Sequence, residues 1–133
     1  TGPMKGLVLG FPHLRDFIQK IFDDLNENLS VHVMSQLDPT SDHYPFFTQG
    51  IDASHLWRWR FAERHASAEF HHESADTSDK VNIPELKNYI ATLSRILFRL
   101  SVTDSKLWPP NTISIDKLRE RLDRERDSVV RVF

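Results

Sequence analysis

Residues 11–34 read FPHLRDFIQKIFDDLNENLSVHVM, and this stretch decides the fold class. Leu14, Phe17, Ile18, Ile21, Phe22 and Leu25 recur at helical spacing, with Lys20, Asp23, Asp24 and Glu27 between them. That pattern predicts an amphipathic helix over Phe11–Asn28 with one buried face. Ser30-Val31-His32-Val33-Met34 follows, with valines at alternate positions, which suits a pleated strand.

Outward from there the alternation continues. Gln36–Tyr44 is loop material, and Tyr44–Gly50 predicts a short helix ended by Gly50. Ile51–Trp59 reads as a second strand, and Arg60–Val81 as a long polar stretch without periodicity. Loops of that length in compact domains are usually functional or disordered. Ile83–Leu100 is the strongest helix, with Asn82 as N-cap, Pro84 in the first turn and Glu85 where the helix dipole favours an anion. Its apolar stripe is Leu86, Tyr89, Ile90, Leu93, Ile96, Leu97 and Leu100. Trp108-Pro109-Pro110-Asn111 breaks the chain before a charged helix to about Asp127, with Ile115, Leu118 and Leu122 on one side. Arg119, Glu120, Arg121, Asp123, Arg124, Glu125 and Arg126 read there as a solvated face with ion pairs at helical spacing. Val129–Phe133 reads as a strand or a packed tail.

Helix, strand, helix, strand, helix is the alternation of an α/β fold. Two strands make a poor sheet. The expectation is therefore the C-terminal portion of a mixed or parallel sheet flanked by helices, completed by absent neighbours or by self-association through an exposed sheet edge into a homodimer. Residues 1–100 form that portion, and 101–133 an extra linker and helical tail.

Composition narrows the function classes. The chain has 133 residues, 39% hydrophobic and 27% charged, which is a globular balance. Its net charge is −2, and the densest basic segment, Arg58–Arg64, is short and contains Glu63. A nucleic-acid partner would want a basic stripe, so none is expected. No apolar run spans a bilayer, and Thr1–Lys5 does not open a signal peptide. Absence of cysteine excludes disulfides and thiolate zinc sites and leaves the compartment open. Six of the seven histidines fall between His32 and His72, which raises the question of a metal.

Ser41-Asp42-His43-Tyr44-Pro45-Phe46, then Gly50-Ile51-Asp52-Ala53, then His72-Glu73-Ser74-Ala75-Asp76-Thr77 stand in order before the long helix. In this order and spacing they resemble the C-terminal half of the co-catalytic dizinc aminopeptidase family, over about residues 5–100. That family includes glutamate carboxypeptidases, glutaminyl cyclases and the non-catalytic transferrin receptor. Its members show Ser-Asp-His-x-x-Phe, Gly-Ile-Pro-Ala at a strand entry, and an aromatic residue before His-Thr-x-x-Asp-Thr. Asp52 replaces the family's proline, Glu73 its threonine, and His71 its aromatic residue.

The resemblance implies an α/β zinc exopeptidase acting on peptide substrates. His72 becomes a zinc ligand, and His71 an oxyanion or substrate contact. Asp42, His43 and Asp76 become structural residues or partners of ligands. The family mechanism uses two zinc ions bridged by an aspartate and a water that a glutamate activates. Its other ligands lie upstream of the segment matched here. One histidine cannot hold a four-coordinate zinc, so this chain alone is expected to be inactive with its zinc site empty. The alternatives are a non-catalytic assembly module of the same fold and a glutaminyl-cyclase-like parent. The latter usually has tryptophan where His71 stands. Trp57 and Trp59, alternating with Arg58 and Arg60, read as a strand with one buried face, or as the lining of a specificity pocket.

Overall fold

The computed structural model describes residues 4–35, 37, 39, 42–57 and 74–130. Among them the sheet has three strands in the order β2-β1-β3. The central strand β1, Gly6–Leu9, has no counterpart in the sequence-based expectation. It is too short to show alternation, and an interior strand reads as a brief apolar run. β2, Ser30–Val33, lies parallel to it and β3, Ser54–Trp57, antiparallel, so the sheet is mixed. Leu7 pairs with Val31 on one side and Leu56 on the other, which puts these residues on one face. Val8 pairs with His32 and His55, which share the opposite face.

Helix α1, Arg15–Asp24, connects β1 to β2 and is shorter at both ends than the periodicity suggests. It buries Ile18, Ile21 and Phe22. At its end Asn26 adopts φ 56°, while the Asn26 and Glu27 amides donate to Asp23 and Phe22 carbonyls. These paired bonds satisfy carbonyls that the last turn leaves open. Gln19 ties the helix to β2: its Nε2 donates to the Leu29 carbonyl and its Oε1 accepts from the Val31 amide.

Helix α2, Tyr44–Thr48, ends at Gly50, whose φ is 71°. A side chain at Gly50 would be strained and would also meet Ile115 Cδ1 at 2.7 Å. Helix α3, Ile83–Ser101, is capped as expected, with Asn82 Oδ1 accepting from the Glu85 amide. Only part of its apolar stripe is internal. Ile96 is buried and Tyr89 and Leu100 pack on the core, whereas Ile90 and Leu97 are 53% and 56% exposed. Arg95 pairs with Glu27 at the end of α1, fixing how α3 lies along it.

Two clusters hold the fold. One joins the helix-facing side of the sheet to α1 and α3 through Met4, Leu7, Leu9, Ile18, Phe22, Leu29, Val31 and Ile96. The other sits beyond the C-terminal ends of β1 and β2, where Phe11, Leu37 and Phe47 meet Leu118 of α4, Ile115–Val130. Val129 and Val130 are thus helical, not extended. Arg121 and Glu125 also depart from the solvated-face expectation. The guanidinium donates to the Gly10, Met34 and Ser35 carbonyls and to Glu125, which itself accepts from the Leu37 amide. Carbonyls that leave the sheet ladder need partners, and a five-donor fork supplies several at once.

Candidate functional site

Ligands of open α/β sheets bind beyond the carboxyl ends of the strands. Here that region holds a buried polar group built from the loop after β1 and the loop before β3. β1 ends at Leu9, and Gly10 follows where a Cβ would lie 2.6 Å from the Phe47 ring. Glycine lets that ring close directly on the backbone. Phe47 is fully buried and meets Phe11 edge-on at 5.7 Å.

Asp52 lies in the loop between α2 and β3. Its Oδ1 accepts from the Ala53 amide at 3.0 Å, and the Gly10 and Phe11 amides also face the carboxylate. His13, between Pro12 and α1, places Nδ1 3.7 Å from Asp52 Oδ2. The two side chains are 9% and 3% exposed. Neither Nδ1 nor Oδ2 has a hydrogen-bond partner among the described residues. Burial raises the Asp52 pKa above its ordinary value of 3.8, against the lowering effect of His13 and the amides. Desolvation therefore outweighs the nearby donors.

The sign of the stability effect follows from that direction. A carboxyl raised by folding favours the protonated folded form. Its contribution is complete below the unfolded pKa and is lost as pH rises through the folded pKa. Asp52→Asn should therefore gain stability relative to wild type as pH rises from about 4 toward neutrality. Urea denaturation of both proteins across that range checks this; a gap that shrinks with rising pH contradicts it.

His43, next to Phe47, is 6% exposed. Its ring packs edge-on against Phe47 and His55, each at a centroid distance of 5.0 Å. It starts α2, and His55 lies in β3 opposite Val8, so the short helix and the sheet are joined here. Asp42, its neighbour, is exposed in the turn before α2. Asp76 is exposed in the turn before a 3-10 helix at Ser78–Lys80. His71 and His72 lie outside the described residues, as do Arg58, Trp59 and Arg60.

The structure thus sets His43 against His55, and Asp52 near His13; sequence reasoning did not single out His13 or His55, and noticed Asp52 only as a replacement for proline. Among the described residues no three His, Asp or Glu side chains converge to hold a metal. Nor is any helix among them long and apolar enough to cross a membrane. No family model, curated protein or solved structure matches the chain.

Proposed function

We propose that this chain carries the C-terminal part of a dizinc aminopeptidase-type domain, whose reaction hydrolyses N-terminal peptide bonds with zinc-activated water. His72 is the zinc ligand it contributes, and Asp42, His43 and Asp76 support the surrounding loops. The observation that favours this reading is the order of parts: the Asp42-His43 turn, a short helix closed by Gly50, a strand, then, after the polar stretch of sequence that carries His72, a long helix. The burial of His43 between α2 and β3 suits a supporting role for the Ser-Asp-His motif.

The described residues do not by themselves fit a zinc ion, since a catalytic zinc takes about three protein ligands. On this reading the remaining ligands belong to residues outside this chain. By itself the chain binds zinc weakly and turns over no peptide. The outer strands β2 and β3 favour a second reading, an assembly module that pairs through a sheet edge.

Zinc titration of the full chain, followed at the imidazoles by NMR, tests the first reading. His72 should respond first among the seven histidines, with no hydrolysis of aminoacyl anilides. A response that bypasses His72 overturns its assignment. Tight stoichiometric zinc with turnover overturns the division of ligands. Sedimentation of the same samples addresses the second reading, and a strict monomer at high concentration removes it.

A further inference from the structure

Helix α3 is apolar around most of its circumference, yet the domain covers one side of it. Ile96 is buried, and Tyr89 and Leu100 pack on the core. On the flank toward α1, Arg95 and Arg99 pair with Glu27 and Asp24. The remaining side carries Ile83, Ile90, Leu97, Phe98 and Val102, each more than half exposed. A helix this apolar is normally covered on more than one side.

The five residues form one surface. Ile83, Ile90 and Leu97 are spaced by seven, the spacing that keeps side chains in line along the seam of paired helices. Phe98 and Val102, four apart, form a second row beside the end of that line. Ser94 lies between the rows and is too small to hold a second helix away. Within α3, Lys87 is the charged residue that shares this side.

The size of the surface fits an interface. Large apolar side chains carry on the order of 150–250 Å² each, so five that are more than half exposed offer roughly 500 Å² per copy. A stable interface removes about 800 Å² from each partner, a little over half of it apolar. The α3 face therefore supplies the apolar share of such an interface by itself. The outer strands offer less: β2 and β3 are 4 residues each, a length that limits edge pairing.

The pattern also matches its own reverse. Turning a second α3 end over end about Ile90 sets Ile83 against Leu97 and Ile90 against Ile90. Each of these contacts joins large aliphatic side chains. The two Lys87 side chains then lie about 9 Å apart along the helices, so they do not face one another. The helix dipoles run antiparallel, each N-terminus beside the C-terminus of the other copy. A contact of this kind has two-fold symmetry and closes at two copies.

We propose that α3 is a dimer interface, in which this face packs antiparallel on the same face of a second copy with Ile90 on the two-fold axis. The pairing uses a helix face, not a sheet edge, and is independent of zinc and of His72.

Sedimentation equilibrium of the full chain over a range of concentrations should show a wild-type dimer. Ile90→Asp should weaken it by about 100-fold, because two carboxylates replace the central apolar contact. Ile90 is more than half exposed in one copy, so this change leaves the fold in place. A wild type that stays monomeric at every concentration overturns the proposal. A dimer that Ile90→Asp leaves intact also overturns it, while leaving sheet-edge pairing standing. Since the chain has no cysteine, single thiols read the register. Ile90→Cys should oxidise to a disulfide-linked dimer, because a residue on the axis meets its own copy. Ile83→Cys should not, because its two copies lie about 21 Å apart along the helices. Equal cross-linking at both positions, or none with Ile90→Cys, overturns the antiparallel pairing.

Discussion

Replacing Phe47 by alanine should cost about 3–5 kcal/mol of stability, the usual range for a large aromatic removed from a core. Phe47 is fully buried. Phe11 meets its ring edge-on at 5.7 Å, His43 does so at 5.0 Å, and the Gly10 backbone closes on it where no Cβ would fit. Leu37 and Leu118 complete the cluster. These neighbours come from four separate segments, so they cannot all collapse into the space left behind. The high end of the range is therefore expected. Loss should reach the site as well, because Phe47 packs against His43, which in turn meets His55 edge-on. Urea denaturation measures the stability change, and the imidazole NMR signals of His13 and His43 measure the disturbance. A cost below about 1 kcal/mol would mean that the cluster is not a core.

The second large effect is expected at Arg121. Its side chain is 22% exposed and Glu125 is 15% exposed. Arg121→Ala leaves the carbonyls of Gly10, Met34 and Ser35 without their donor and Glu125 without its 2.7 Å partner. Breaking one half of a buried pair typically costs about 3–5 kcal/mol, because the charge left behind is uncompensated. Partial exposure lowers that toward about 3 kcal/mol. Lysine should not rescue it. A single ammonium cannot span three carbonyls and a carboxylate with fixed geometry. Glu125→Gln is the informative contrast, since its amide oxygen can still accept from the Leu37 amide. The double-mutant cycle between Arg121→Ala and Glu125→Gln should show coupling of about 1–2 kcal/mol. Additive costs would mean that Arg121 works through the backbone carbonyls alone.

Much of the helical part was legible in the sequence because its signals are local. Phe17, Ile18, Ile21 and Phe22 mark α1 by spacing, and Asn82 with Pro84 marks the start of α3 by capping chemistry. The sheet was less so. Gly6–Leu9 is too short for a period, yet it is the strand both others pair with. Without it, two strands looked like a remnant. Within α3, the apolar stripe was read as one face. Which of its members are internal depends on how α3 lies along α1, and the Arg95–Glu27 pair that helps fix this joins residues 68 apart.

The site was partly legible. His43 stood out through its motif, and the structure buries it. Asp52 was visible only as an acid where proline is usual. Its meaning depends on β3 closing against β1, which brings the Gly10 and Phe11 amides and His13 around it. No local pattern encodes that meeting. Arg121 was hidden for a similar reason. In a run of alternating charges nothing separates Arg121, which turns inward, from Arg119 and Arg124, which face water.

That inward turn bears on the order in which the molecule becomes whole. Gly10 and Arg121 are 111 residues apart, and the Leu37–Glu125 bond spans 88. On a ribosome, the strands, α1 and α2 are all made before the residue that holds the loops after β1 and β2. Contacts so distant form late, because a long loop must be closed before they repay anything. The loop whose amides face Asp52 is therefore among the last parts to set. Until α4 arrives, the apolar surface of Phe11, Leu37 and Phe47 is open to chaperones and to other nascent chains.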